Sequence, residues 1–308
     1  MGRRGRFNAA QILKTDLRTK MQKIFLCAIS NIASGSCNED CAFCAQSARY
    51  NADISRYKSK PVAEIVDEAR KAAAAGAVGF CLVTAGRGVT DLILEYVCEA
   101  ARAVKKADLG VKIIACNGDA TREQLAEIKK AGADLYNHNL ETSERFFPRI
   151  CATHLWTDRV RTNENALSAG LALVLGGIIG LGETNEDRED LFKAIAKFKP
   201  MSAPLNFYIK NPALPIDLEP LGIDEALFWV KRMREILGEA PRIMLAGGKE
   251  QVFGDRLMDA IAAGANAMVV GNYLTTLGMD SGDLRDMIFR AGHGVAAPED
   301  CAMMFAAN

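Results

Sequence analysis

Short apolar runs alternate with amphipathic stretches along nearly the whole chain, and this alternation predicts the fold. The runs IFLCAISN (24–31), VGFCLVT (78–84), VKIIAC (111–116), ADLYNHN (133–139), LALVLGGIIG (171–180), APLNFYI (203–209), RIMLAGG (242–248) and NAMVVGN (266–272) have the length and β-branched content of buried strands. Helical periodicity fills 61–77, 92–107, 121–132, 157–169, 187–198, 225–238 and 253–263. Strands separated by such helices pair in parallel through right-handed crossovers, and eight of them suit a closed (β/α)8 TIM-type barrel. Ala-Gly pairs at Gly76, Gly132, Gly170 and Gly264 end four of the helices, where glycine takes the left-handed cap.

A length of 308 residues admits one large barrel or two ordinary domains. No linker interrupts the pattern, so the expectation is a single α/β domain over 21–308 behind an N-terminal extension, 1–20. Arg3, Arg4 and Arg6 in that extension read as a solvated tail.

Apolar residues at 49% leave ample material for a core, and 38 basic against 38 acidic residues cancel. A neutral chain has no general attraction to nucleic acid or an anionic membrane, so a small-molecule partner is expected. No run reaches the roughly 18 apolar residues of a membrane span, and the first twenty residues lack a secretion signal's apolar core, which points to the cytoplasm. Nine cysteines with three packed together argue for metal chemistry in a reducing compartment.

Those three are Cys37, Cys41 and Cys44 in GSCNEDCAFCAQS. Three thiolates spaced three and two residues apart on one loop can hold three corners of a 4Fe-4S cube and leave the fourth iron open. The competing reading is a zinc knuckle. Zinc sites usually carry two Cys-x2-Cys pairs or downstream histidines, whereas His138, His154 and His293 fall in no such pattern. Phe43 offers a flat apolar face beside the third cysteine, suited to an adenine.

In a barrel the functional residues sit at the C-terminal strand ends. There the fourth strand carries Asn137, Asn139 and Glu141 on one side of an extended segment, able to bind a urea, a carboxylate, a ribose diol or an ammonium group. Polar strand caps are the bland alternative. Gly176-Gly177-Ile178-Ile179-Gly180-Leu181-Gly182-Glu183 after the fifth strand offers a surface for an adenine against Ile178 or Ile179. Arg159 is a candidate partner for a cofactor carboxylate, or a surface residue.

With these segments in order, the chain resembles the radical S-adenosylmethionine superfamily and, within it, the biotin synthase family. GSCNEDCAFCAQSARYNADI with the following RYK, YNHNLET and GGIIGLGET carry the resemblance, which covers about residues 24–290. It implies reductive cleavage of S-adenosylmethionine and two hydrogen abstractions from dethiobiotin. Sulfur would come from an auxiliary iron-sulfur cluster deep in the barrel, and no residue would act as acid or base. It also implies a donor such as flavodoxin or ferredoxin, and leaves a homodimer open. Carried over by position, Cys37, Cys41 and Cys44 hold the 4Fe-4S cube. Asn137, Asn139 and Glu141 contact cofactor and substrate, and Asn206 binds substrate.

The chain departs from the better-known members of that family in its inner ligands. Cys81 matches, but Ile114, Val174 and Met244 stand where a cysteine, a cysteine and an arginine are usual, with Cys116 and Arg242 each two residues away. Cys27 is gained on the first strand. Cys27, Cys81 and Cys116 are therefore expected to hold a different auxiliary cluster, a four-iron cube with an extra sulfide being favoured over 2Fe-2S. Each alone would read as a small buried hydrophobe. Cys98, Cys151 and Cys301 are read as structural. The competing functions are another radical sulfurtransferase or maturation enzyme, and a non-catalytic iron-sulfur carrier. Lipoyl synthase would need a further cysteine triplet that residues 1–26 lack.

Overall fold

The computed structural model describes residues 21–35, 37–271 and 278–305, with no side-chain detail beyond 301. The expected extension and the last residue of the eighth run, Asn272, lie outside the described residues. Eight barrel strands form as the pattern predicts: β1 (Lys23–Ala33), β2 (Ala77–Thr84), β3 (Lys112–Cys116), β4 (Leu135–Asn137), a fifth strand in two pieces, β5 (Ala172–Val174) and β6 (Gly177–Ile179), then β7 (Ser202–Phe207), β8 (Arg242–Leu245) and β9 (Ala267–Val270). All pair in parallel in chain order, and Phe25–Ala28 of β1 pairs with Ala267–Val270 of β9 to close the ring.

Helices α1 (Val62–Ala74), α2 (Asp91–Lys106), α3 (Arg122–Lys130), α4 (Trp156–Ser168), α5 (Asn185–Phe198) and α6 (Ile223–Leu237) cover the outside. Gly76, Gly132, Gly170 and Gly264 all have positive φ, as a left-handed cap requires. The helix expected over 253–263 is instead broken into α7 (Lys249–Phe253), a 3-10 turn and α8 (Asp259–Ala262). Gly254 in the left-handed region (φ 50°) interrupts it. After α9 (Ser281–Arg290), the two-residue β10 (Gly294–Val295) pairs with the start of β1, and α10 (Pro298–Phe305) follows. Lys23 Nζ, 2.7 Å from Asp300, ties α10 to the lower end of the barrel.

Alternation along the strands divides the buried residues into two cores. Leu26, Phe80, Leu82, Ala115, Leu173, Leu205 and Met268 face the helices. Cys27, Cys81, Val83, Ile114, Leu135, Val174, Met244 and Val269 fill the lumen.

The break in the fifth strand is a packing solution. A Cβ on Gly176 would lie 1.8 Å from the Pro204 carbonyl oxygen, and one on Gly177 would lie 2.6 Å from that of Glu141. Neither obstacle is a movable side chain. Gly176→Ala is expected to destabilise by about 3 kcal/mol or more, the upper end for overpacking. Gly238→Ala, where a Cβ meets nothing within 4 Å but φ is 71°, should cost only about 1–2 kcal/mol of backbone strain. Thermal unfolding of the two variants makes the comparison, and equal midpoints would refute it.

Candidate radical site at the barrel mouth

The segment after β1 folds back on itself. Cys37 N–H donates to the Gln46 carbonyl (3.3 Å) and Ala48 N–H to the Cys37 carbonyl (2.7 Å), so the loop closes across its own neck. Inside it Cys44 N–H donates to the Cys41 carbonyl (3.0 Å), Ser47 Oγ to the Glu39 carbonyl (2.5 Å) and Arg49 Nε to the Asn38 carbonyl (2.8 Å). Arg56 donates to the Gly35 carbonyl. A loop whose backbone groups are satisfied internally holds its side chains in fixed directions.

Cys37 and Cys41 are buried and Cys44 is half-buried. Burial raises the Cys37 thiol. The hydrogen bond with Cys151 and then burial raise Cys41, and burial pushes Cys44 up to about 11. Without a cation these sulfurs keep their protons. A metal bound among them would supply the charge that removes those protons.

Cys41 shares an apolar cluster with Phe147, Ile150, Leu181 and Tyr208, against which Phe43, Cys44 and Ile178 also pack. The loop, Phe43 and the glycine segment after β6 therefore meet on one surface. Ile179 does not join it. One residue further on, it points away from the mouth and is fully buried among the residues beneath the helices, so its expected cofactor role is withdrawn.

The polar run after β4 sits beside this surface. Asn139 Oδ1 accepts from Gly176 N–H (3.1 Å), and Arg159 Nη1, from the first turn of α4, donates to the Asn139 carbonyl (2.8 Å). The same Nη1 lies 3.6 Å from Glu141 Oε1. Glu141 has φ 67°, unusual for a side-chain-bearing residue, and its carbonyl accepts from Ile178 N–H (2.7 Å). Burial raises its carboxyl against the pull of Arg159. Asn206 spans the mouth: Nδ2 donates to the Gly177 carbonyl (3.1 Å), and Oδ1 accepts from Gly247 N–H (2.9 Å). One N–H and one lone pair of that amide remain for a ligand.

Three buried polar atoms here have no hydrogen-bond partner: Asn137 Oδ1, Glu141 Oε2 and Arg159 Nε. Buried groups of this kind are normally satisfied, so an acceptor, an anion and a cationic donor converging on one mouth fit a polar ligand with an ammonium or hydroxyls and a carboxylate.

Below the mouth, the Cys81 thiol sits beside Cys116 and Asn137. Register sets Cys27 opposite Gly79, Cys81 opposite Ile114, and Val83 opposite Cys116, so the three sulfurs rise in steps along adjoining strands. Burial pushes Cys27 up to about 12, and the adjacent Cys116 together with burial raises Cys81. Ile114, Val174 and Met244 line the same lumen, so the substituted positions do face inward. Arg242 lies lower, its guanidinium 3.6 Å from the Phe25 ring centroid.

Two cysteines read as structural lie in chemically loaded places. Cys301, on α10, lines a cavity of about 40 Å3 at the barrel floor with Cys27, Arg242 and Met244. Cys151 lies 3.7 Å from Cys41. Both proximities cross long sequence gaps, and no spacing signals them. Cys98 is buried under α2, in the outer core.

No helix among the described residues is long and apolar enough to cross a membrane. The Radical SAM superfamily matches residues 31–195, and the Biotin and Thiamin Synthesis associated domain matches 204–294. A biotin synthase of Sulfurovum sp. (strain NBC37-1) is 52% identical over 91% of this chain and 98% of its own length. One of Aliarcobacter butzleri (strain RM4018) is 54% identical over 89% and 97%. Among solved structures, a methylornithine synthase superposes with a TM-score of 0.73 at 18% identity, covering 92% of this chain and 86% of that one. The FeFe-hydrogenase maturase HydG from Carboxydothermus hydrogenoformans gives 0.71 at 19%, covering 88% and 67%. The likeness to these two structures is one of fold.

Proposed function

We propose, from the premise that this chain belongs to the biotin synthase family of radical S-adenosylmethionine enzymes, a division of labour between the mouth and the lumen of its barrel. The reaction is the conversion of dethiobiotin to biotin, with a 4Fe-4S cluster and S-adenosylmethionine as cofactors. Bound there, the cluster would supply the electron for reductive cleavage of S-adenosylmethionine, and an auxiliary cluster would supply the sulfur.

In this reading Cys37, Cys41 and Cys44 hold the 4Fe-4S cube. Arg159 receives the cofactor carboxylate, and Glu141 receives its ammonium or ribose hydroxyls. Phe43 and Ile178 enclose the adenine. Asn137, Asn139 and Asn206 orient the substrate, whose cyclic urea matches their amides. A radical that breaks an alkyl C–H bond attacks whatever it meets, so reactants must be held in contact in a dry chamber. The apolar lumen beneath the mouth provides that dryness.

Cys27, Cys81 and Cys116 would hold the auxiliary cluster, a four-iron cube with an extra sulfide that would supply the sulfur. A one-electron donor of the flavodoxin or ferredoxin kind, a cytoplasmic location and room for a homodimer complete the proposal. The observation that carries it is the convergence of the three unpartnered polar atoms with the thiol loop at one barrel end.

Anaerobic incubation of the reconstituted enzyme with reductant, S-adenosylmethionine and dethiobiotin is expected to yield biotin and 5'-deoxyadenosine together. Zinc, or no metal, in oxygen-free preparations would overturn the assignment. Arg159→Met and Glu141→Gln each remove a charged contact worth about 1.5–3 kcal/mol. Each should raise the KM for S-adenosylmethionine roughly ten- to hundredfold and leave the KM for dethiobiotin nearly unchanged. A change confined to dethiobiotin would reverse the roles assigned.

A further inference from the structure

Cys151 and His154 belong to the segment between β4 and α4, and they meet the cysteine loop edge to edge. Cys151 Sγ lies 3.7 Å from Cys41 Sγ, 3.2 Å from His154 Nδ1 and 3.9 Å from Nε2. The ligand atoms of the three residues fall within 4.8 Å of one another, and all three residues are buried. Metal–sulfur bonds of about 2.3 Å and metal–nitrogen bonds of about 2.0–2.1 Å at tetrahedral angles set two sulfurs about 3.8 Å apart and a sulfur and a nitrogen about 3.5 Å apart. The 3.7 Å between the sulfurs and the 3.2 Å from Cys151 Sγ to Nδ1 lie close to that frame, which makes Nδ1 the nitrogen turned towards the ion.

The surroundings complete it. His154 Nδ1 lies 2.5 Å from Glu39 Oε2, which also accepts from Thr153 Oγ1 (2.7 Å). In the metal-free chain that contact holds the imidazole with Nδ1 turned to Cys151, and an ion at Nδ1 takes the place of its proton with the Glu39 carboxylate beside it. The cysteine side is braced as well: Asp40 Oδ1 accepts from Ala152 N–H (3.0 Å) and Thr153 N–H (3.2 Å), and lies 2.9 Å from Thr153 Oγ1 and 3.3 Å from Cys151 Sγ. The Phe147 ring packs edge-on to His154 at 5.4 Å.

We propose that Cys41, Cys151 and His154 form a mononuclear ferrous site in the cluster-free chain. It holds one Fe2+ beside the loop until Cys41 is surrendered to the 4Fe-4S cube. Two thiolates and an imidazole suit a divalent transition ion, and the fourth position stays open to water or to incoming sulfide. Binding releases the Cys41 thiol proton and the one proton shared among Cys151, His154 and Glu39, and changes no oxidation state. The binding site stands without reference to the synthase reading, whereas the handover of Cys41 rests on that residue also being a cube ligand.

The test uses Co2+ as an optical stand-in for Fe2+ on the full-length cluster-free chain, with no S-adenosylmethionine or dethiobiotin present. One equivalent should bind to the parent and equally to Cys37→Ala, with sulfur-to-metal charge-transfer bands and the visible bands of a tetrahedral ion. Cys151→Ser and His154→Gln should lose this binding, and Glu39→Gln should weaken it roughly ten- to hundredfold. The cluster-loaded chain should no longer take up the ion there. Parent-like binding by Cys151→Ser, or its loss in Cys37→Ala, would overturn the site. Uptake of the ion with the cube intact would overturn the sharing of Cys41. A failed biotin assay would leave these readings untouched.

Discussion

Cys44→Ala is expected to bring both S-adenosylmethionine cleavage and biotin formation to background. The loss is on the order of a thousandfold or more, equivalent to about 4 kcal/mol of transition-state stabilisation. Cys44 is the half-buried member of the triplet, and burial holds its thiol at about 11. A cluster ligated here would therefore have to displace that proton. The loop should survive the change, because its fold rests on backbone bonds such as Cys44 N–H to the Cys41 carbonyl and Ser47 N–H to the Cys44 carbonyl. The cluster-free variant should therefore melt with the parent while its reconstituted form lacks the visible absorbance of the cube. Chromatography of methionine and 5'-deoxyadenosine makes the measurement, and cleavage at even a tenth of the parent rate would remove Cys44 from the ligand set.

Cys27→Ala should separate the two halves of the reaction. Cleavage of S-adenosylmethionine continues, since Cys27 sits on the lumen side of β1 with Gly79 opposite, well below the cysteine loop. Biotin formation falls to background, and iron drops from about eight to about four per chain as one of two cubes is lost. The variant's fold should hold, because cysteine to alanine in an apolar lumen removes only one small group. Unchanged iron and sulfide contents would refute the role of Cys27, whatever the activity.

The barrel was legible because its strands, buried on both faces, read as continuous β-branched runs, and because four Ala-Gly pairs marked helix ends. The split of the fifth strand was not legible. Gly176-Gly177 looked like room for a ligand, whereas the structure spends that room on the Pro204 and Glu141 carbonyls. The helix over 253–263 failed at Gly254, since an amphipathic pattern does not register a single left-handed residue. β10 is two residues long, too short to show any period.

At the mouth, spacing brought out what neighbours in sequence can show: the triplet, and the Asn137, Asn139 and Glu141 face. It could not distinguish Ile178 from Ile179, because the phase of the alternation depends on where the strand restarts after its glycines. Cys151, His154 and Glu39 were hidden for a different reason. Their meeting depends on two loops about 110 residues apart being pressed together above the barrel, and His154 gave no local cue beyond standing three residues from a cysteine.

The segregation of the buried residues into an inner and an outer set has a wider consequence. Folding draws chiefly on the layer under the helices, where Phe80, Phe192 and Trp229 are packed. The inward-facing lining is small by comparison and composed of near-isosteric apolar side chains and thiols. Val174 or Ile114 could be exchanged for a sulfur-bearing residue, or Cys27 for alanine, with little disturbance to the shell. The cylinder thus behaves as a chassis with a swappable insert, on which one ligand pattern can be rewritten into another while the architecture and the radical machinery at its rim stay as they are.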